Sequence, residues 1–132
     1  MEYIFKIAGS SICLRDYNGA MALYKEVERI CRDIGNVYSL QISLGNPALI
    51  LQARGDLDGA MALLKEQERI CRELDNVEGL AISLMNQANI RRQQGDQKAA
   101  SVLITEAYNL AAGHGYTALA QQIKGKKEQS GL

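Results

Sequence analysis

A chain of 132 residues, 47% of them hydrophobic, is long enough for one domain with a substantial core. Aromatic residues make up only 5% and Trp is absent, so that core must consist of aliphatic side chains. Fifteen basic and 15 acidic residues leave no net charge. This argues against a nucleic-acid partner, because phosphate binding usually requires a basic excess.

An internal repeat with a period of forty residues organises the chain. Residues 19–58 and 59–98 align without a gap, and about 23 of the 40 positions carry the same residue. A weaker third copy begins at Ala99, and a partial copy precedes Gly19. The repeat predicts one local structure that recurs along the chain, which is the signature of a repeat architecture.

The second half of each unit predicts one amphipathic helix. Between Asp16 and Gly35 the apolar residues recur at intervals of three and four, and the same stripe follows Asp56 and Asp96. The three aspartates precede these helices and are predicted to cap their free N–H groups. Left-handed C-terminal residues are expected at three positions: Gly35, Asp75 and Gly113.

The first half of each unit predicts another helix, with a stripe that begins at Val37 and returns at Val77. Gly-Asp pairs at 55–56 and 95–96 mark the turns between helices. A last amphipathic helix is expected at about 116–128. Beside its apolar residues this segment carries a basic stretch, which is interpreted as solvated (Lys124, Lys126, Lys127).

Small and bulky residues at fixed places in each unit resemble the tetratricopeptide repeat. Three sets carry the resemblance: Ala8, Asp16-Tyr17, Ala20 and Tyr24; Ala48, Gly55-Asp56-Leu57, Ala60 and Leu64; and Ala88, Gly95-Asp96, Ala100, Ile104 and Ala107. The forty-residue period is similar to the long-helix variety found in kinesin light chains and spindle-orientation adaptors. The resemblance implies an all-α, right-handed α-solenoid in one domain, residues 1–132. It would contain three helix pairs (about 1–35, 36–75 and 76–113) and a capping helix.

By the same resemblance, the chain is expected to be a protein–protein interaction scaffold. First helices of the family line a concave groove that holds a peptide or partner protein. The corresponding residues here are Phe5, Asn46, Leu49, Gln52, Met85, Asn86, Asn89, Arg92 and Gln93. Asn46 and Asn86 occupy equivalent positions, and an amide can both donate to and accept from a peptide backbone. Ordinary polar surface is the alternative interpretation of these residues.

Pro47 departs from the pattern because it lies in the middle of a predicted helix, where the next unit has Gln87. Proline removes a backbone donor and clashes with the preceding turn. A kink or break is therefore expected, with Asn46 able to cap a new helix that begins at Pro47. A tolerated bend and a hinge between chain halves both remain open. The hinge, or exposed ends of the array, would support a second hypothesis: a structural module that self-associates as a homodimer without a peptide ligand.

Residues that carry catalytic or metal chemistry are scarce. His114 is the sole histidine and is interpreted as a turn residue, so we expect no enzyme activity, cofactor or metal. Cys31 and Cys71 lie on apolar stripes and are interpreted as small buried hydrophobes, and the odd third cysteine, Cys13, argues against a disulfide framework. No signal peptide or membrane-spanning segment is expected, which favours a cytoplasmic location.

Overall fold

The computed structural model describes residues 17–131, and all regular structure in that range is helical. It contains six helices: α1 (Tyr17–Ile34), α2 (Val37–Ala53), α3 (Leu57–Glu73), α4 (Val77–Gln93), α5 (Gln97–Gly113) and α6 (Thr117–Gln129). A new helix begins at every twentieth residue. The all-α prediction is therefore confirmed for the described residues. The predicted first helix of the first unit lies outside them, together with Ala8, Cys13, Asp16 and the site residue Phe5.

Short turns of one design connect the helices. A residue with positive φ stands in each turn: Gly35 (70°), Gly55 (86°), Asp75 (53°), Gly95 (84°) and Gly115 (81°). The N–H of the following residue then donates to a carbonyl five residues back, as from Asn76 to Cys71 at 2.9 Å. This is the Schellman arrangement, which satisfies the last carbonyls of a helix. It ends each helix abruptly and leads the chain directly into the next one.

The left-handed residues predicted at Gly35 and Asp75 are confirmed, whereas the one predicted at Gly113 is wrong. Helix α5 continues through Gly113, and Gly115 adopts the positive φ. The repeat explains the difference, because Gly35 and Asp75 are forty residues apart and the next equivalent position is 115. His114 therefore lies inside the turn.

Side-chain caps begin four of the helices. The predicted caps of α3 and α5 are confirmed, since the carboxylates of Asp56 and Asp96 accept from the backbone N–H three residues on, at 2.9 Å and 3.0 Å. Asn36 and Asn76 cap α2 and α4 in the same way, at 3.1 Å and 3.0 Å. A cap of this kind is worth about 1 kcal/mol. Capped starts and Schellman ends together fix both ends of these four helices.

The chain divides into two compact units, Met1–Glu66 and Gln67–Leu132. In the first unit α1 packs against α2. Ala20, Tyr24, Val27 and Cys31 of α1 are almost completely buried, and Ile50 of α2 packs into the same cluster as Ala20 and Tyr24. These four α1 residues are spaced by four, three and four positions, so they form a single stripe on the helix.

In the second unit α5 packs against both α4 and α6. The core cluster contains Cys71 of α3, Leu80, Ala81, Leu84, Met85 and Ala88 of α4, Ile104, Ala107 and Ala111 of α5, and Ala120 and Ile123 of α6. The buried α5 stripe repeats the α1 stripe at positions 80 residues later, from Ala20 to Ala100 and from Cys31 to Ala111. Equivalent positions of this stripe are therefore also equivalent in burial.

Helix α2 runs without interruption from Val37 to Ala53 and includes the buried Pro47. The expected break, with Asn46 as the cap of a new helix, is therefore wrong. Proline has no N–H, so the carbonyl of Ser43 loses its usual donor from four residues on. The buried stripes on both sides of Pro47 hold the helix together at this point.

None of the helices between residues 17 and 131 combines the length and apolarity needed to span a lipid bilayer.

Candidate functional site

Helices α2 and α4 bury nearly half of their residues, and each retains one less-buried stripe. On α2 it consists of Tyr38, Ile42, Asn46, Leu49 and Gln52. On α4 it consists of Glu78, Ile82, Asn86, Asn89, Arg92 and Gln93. Spacings of three and four place the members of each stripe on one side of their helix. We call these two surfaces the α2 stripe and the α4 stripe.

Most of the predicted site residues lie on these stripes. Leu49 is 44% exposed. Asn46, Gln52, Asn86 and Asn89 are half-buried, while Arg92 and Gln93 are exposed. The positions that the resemblance indicated therefore carry side chains that solvent, and so a partner, can reach. That they bind a partner stays a prediction.

Met85 is the exception among the predicted site residues. Its side chain is only 5% exposed and packs in the core cluster of the second unit. It lies next to Asn86 in sequence but 100° around the helix, on the side that faces α5. A partner could not touch Met85 without repacking that core, so Met85 is a core residue and not part of the candidate binding surface.

Asn46 and Asn86 share more than their equivalent positions. Both are half-buried, and within residues 17–131 neither amide forms a hydrogen bond. By contrast, Asn36 and Asn76, the other pair of equivalent asparagines, use their amide oxygens as helix caps. A half-buried amide without a partner has lost part of its hydration, and a ligand that supplies both a donor and an acceptor would compensate it.

Helices α2, α4 and α6 hold the first-helix position of the repeat, and we call them the first-type helices. Lys126 of α6 occupies the position that Asn46 holds in α2 and Asn86 holds in α4. The sequence interpretation, in which the lysines were only a solvated stretch, missed this relation. The signal was available, because 126 follows 86 by one period. Lys126 and Lys127 are half-buried, and Lys127 Nζ donates to Thr105 Oγ1 on α5 at 3.3 Å.

Helices α1, α3 and α5 hold the second-helix position of the repeat, and we call them the second-type helices. The same ion-pair arrangement occurs twice among them. In the first unit Arg32 contacts Glu28 on its own helix and Glu66 on α3, both at 2.9 Å. In the second unit Arg72 contacts Glu68 on its own helix at 3.1 Å and Glu106 on α5 at 3.0 Å. Each arrangement is the other shifted by forty residues. The within-helix pairs follow from four-residue spacing in the sequence, whereas the contacts between helices do not.

Hydrogen bonds within these ion pairs also affect the titration of the arginines. The carboxylates of Glu28 and then Glu66 raise the pKa of Arg32. Glu106 contributes most to the raised pKa of Arg72. All the groups are partly exposed, so each pair contributes at most about 1 kcal/mol. Their value lies in showing which helices are neighbours within each unit.

His114 and Glu106 both border an open depression on α5, together with Ser101 and Asn109. The depression thus brings the only histidine of the sequence and an acidic side chain to the same surface. The arrangement is nevertheless poorly suited to acid–base chemistry, because Glu106 already pairs with Arg72 and the His114 ring Nδ1 is bonded to the Leu110 carbonyl at 2.9 Å. No group of three metal-ligating side chains is present in the part of the chain that the structure describes.

The two described cysteines are buried, as their positions on the apolar stripes predicted. Cys31 is 1% exposed and Cys71 is fully buried. Burial raises the pKa of both thiols, to about 11 for Cys71. Neither is therefore a reactive thiolate near neutral pH, since reactivity requires a lowered pKa and access.

Comparison with known proteins found no relative: no family model matches the chain, and neither does any curated protein. The resemblance to tetratricopeptide repeats therefore depends on the sequence positions quoted above. The two stripes and their paired asparagines are what a functional proposal has to build on.

Proposed function

We propose that this chain is a protein-interaction module of tetratricopeptide-like helix pairs that binds a segment of a partner protein along its first-type helices. The observation that carries the proposal is the recurrence of an unbonded, half-buried asparagine, Asn46 and Asn86, at equivalent positions of the α2 and α4 stripes. The helix-capping asparagines, Asn36 and Asn76, use their amide oxygens within the chain. Asn46 and Asn86 do not, and their chemistry suits the alternating donors and acceptors of a peptide backbone.

The proposed architecture is an open α-solenoid, a right-handed superhelix in which successive helix pairs stack by one common shift. The ion pairs support stacking of this kind, because Arg32 reaches Glu66 as Arg72 reaches Glu106. Such a stack buries stripes that a single pair leaves exposed. It also presents the first-type helices on one side, the concave side in tetratricopeptide arrays, where an extended segment could bind.

The composition of the stripes suits a peptide better than a small molecule. Exposed Tyr38 and Leu49 offer apolar contact, and the asparagines offer hydrogen bonds. An aromatic or aliphatic anchor surrounded by polar groups is the usual anatomy of a protein interface. A peptide-sized ligand is also large enough to contact several turns of a helix at once.

A selection from a library of short random peptides tests the proposal. We expect the full chain to enrich peptides, and we expect an Asn46→Ala, Asn86→Ala double variant to bind the enriched peptides about tenfold or more weakly. Asn109 is an exposed asparagine on α5 and supplies the matched control. Asn109→Ala should bind as the unaltered chain does. Equal binding by all three proteins would remove the assignment of this surface.

Self-association is the second candidate, and exposed apolar side chains at one turn favour it. Ile34 is 65% exposed and Tyr38 is 58% exposed, with Val37 between them at 38%. A second copy of the chain could cover this patch. Sedimentation over a range of protein concentrations distinguishes the candidates. The average mass of a self-associating chain rises with concentration because the dimer fraction increases, whereas the mass of a peptide-binding monomer stays constant. An Ile34→Ser, Tyr38→Ser variant should then stay monomeric.

We further propose that the protein acts as a non-enzymatic scaffold in a reducing compartment such as the cytoplasm. Cys31 and Cys71 support the compartment, because both are buried core thiols. Incubation with a panel of ester and phosphate substrates should reveal no turnover. Turnover that disappears in a His114→Ala variant would contradict the non-enzymatic assignment.

A further inference from the structure

The arginines of this protein differ in whether carboxylates neutralise them. Arg29, Arg32, Arg69 and Arg72 on α1 and α3 all contact carboxylates. Arg92 on the α4 stripe is exposed and has no such contact within residues 17–131. Carboxylates thus neutralise these four arginines of the second-type helices, whereas Arg92 on a first-type helix has no such neighbour.

A second unpaired cation occupies the equivalent side of α6. Lys126 lies at the same register position as Asn86, and within the described range it too has no carboxylate partner. α4 and α6 both pack against α5 in the second unit. Arg92, in the last turn of α4, and Lys126, at the register position of Asn86, are therefore two positive charges without a carboxylate partner on the two helices that flank α5.

The two ends of the α4 stripe carry opposite charges. Glu78 lies exposed in its first turn and Arg92 lies exposed in its last turn, with the amides of Asn86 and Asn89 between them. A ligand on this face would meet a negative charge at one end and a positive charge at the other. Carboxylates are favoured near Arg92 and Lys126 and disfavoured near Glu78.

We propose that the partner segment bound by the second unit is acidic, and that its aspartate or glutamate side chains contact Arg92 and Lys126. This inference rests on the proposed function, and it adds the chemistry and the orientation of the partner. The carboxylates lie towards the C-terminal end of α4, and uncharged or basic residues lie towards Glu78. The neighbouring Asn86 and Asn89 then bind the backbone of the same segment.

A nucleic acid is a poorer match for this surface. Two unpaired cations are few for a phosphate backbone, and Glu78 lies on the same stripe and would repel it. Protein carboxylates are spaced irregularly and can avoid that position. Arg92 can also hold a single carboxylate with two parallel hydrogen bonds.

The experiment uses the peptides enriched on the full chain in the selection described above. We expect aspartate and glutamate to be over-represented among them. One enriched peptide, and a copy with its acidic residues changed to the corresponding amides, is titrated against the full chain and an Arg92→Gln, Lys126→Gln variant. The matched control is Lys25→Gln, Lys65→Gln, which removes two exposed charges from α1 and α3.

We expect the Arg92→Gln, Lys126→Gln variant to bind the acidic peptide about tenfold more weakly and with less dependence on salt, while the control variant changes little. The amide copy should bind the unaltered chain as weakly as the acidic peptide binds the variant. Enriched peptides that need Asn46 and Asn86 but are not acidic would overturn this inference and leave the proposed function intact. No enrichment at all would overturn both proposals. A single-stranded oligonucleotide that binds as tightly as the acidic peptide, and that also requires Arg92 and Lys126, would overturn the acidic-peptide assignment. Circular dichroism of each variant shows that its helices are intact.

Discussion

Replacing Pro47 with Gln should stabilise the protein. The substitution restores a backbone N–H in the interior of α2, where proline costs about 3 kcal/mol relative to an ordinary residue. Part of this gain is lost because the buried proline ring supplies apolar contacts, worth about 0.8 kcal/mol for each methylene that is no longer buried. A net gain of about 1–2 kcal/mol follows, which raises the melting temperature by about 5 °C for a chain of this size.

The second unit indicates where the new amide would bind. Gln87 is the equivalent of Pro47, and its Nε2 donates to Glu68 at 2.9 Å and to Ser83 at 3.3 Å. The residues equivalent to those two acceptors are Glu28 and Ser43, which are identical in type. A glutamine at position 47 therefore offers its Nε2 the acceptors that Gln87 Nε2 uses, while its Oε1, like Gln87 Oε1, accepts no hydrogen bond and takes back part of the gain.

Thermal and urea unfolding, followed by circular dichroism, measure the effect. Pro47→Ala is the first control, because it restores the N–H without adding an amide and should give a smaller gain. Gln87→Pro is the reverse control, and we expect a loss of about 3 kcal/mol or more. If neither substitution at Pro47 raises the unfolding midpoint, the missing donor does not limit stability and this reasoning is refuted. Sedimentation of the same variants tests the hinge, which requires the oligomeric state to change with Pro47.

Three further predictions concern the second unit. Ile104→Ala should lower the free energy of unfolding by about 2–5 kcal/mol, because it opens a cavity in the core cluster; a loss below about 1 kcal/mol in urea unfolding would contradict that packing. Arg72→Gln should cost about 0.5–1 kcal/mol at low salt and almost nothing at high salt, and a double-mutant cycle with Glu106→Gln should show coupling between the two residues. Stability should be unaffected by Cys71 below about pH 9 and should fall as the pH rises towards 11, since the buried thiol has a pKa of about 11 and its unfolded counterpart ionises about two units lower. A Cys71→Ala variant whose unfolding shows the same alkaline decline would exclude this cause.

Features that depend on local chemistry could be predicted from the sequence. Asp56 and Asp96 cap their helices because an aspartate side chain accepts from the N–H three residues on, whatever the tertiary context. Gly35 and Asp75 adopt positive φ where the apolar stripe ends. The exception, Gly113, was chosen because a glycine stood close to the end of a stripe, whereas the forty-residue period indicates Gly115.

Features that depend on packing were harder to predict. Met85 shares a helix with the exposed Asn86, and only the position of α5 decides that one is buried and the other is not. A kink or break was expected at Pro47, because propensity alone disfavours proline in a helix, but α2 is not broken there and is buried on both sides of the proline. The ion pair between Arg72 and Glu106 forms because their helices are neighbours. The spacing of residues within one helix does not show which helices are neighbours.

The unpaired charges of the candidate site could be predicted from the sequence only in part. Arg92 was selected from the sequence as a surface residue, but its lack of a carboxylate partner became visible only when the pairing of the other arginines was known. Lys126 could have been found by extending the register of Asn46 and Asn86 by one more period. It was overlooked because three nearby lysines suggested solvated surface.

Helices that begin at every twentieth residue restrict how the protein can change in length. One residue added inside a helix would turn every later side chain by about 100° and expose the buried stripe. Forty residues added at a turn would preserve every cap, every buried stripe and the spacing from Arg to the next Glu, and would add one more binding face. Evolution can therefore lengthen this protein far more readily by duplicating whole units than by inserting single residues, and each duplication would extend the surface offered to a partner.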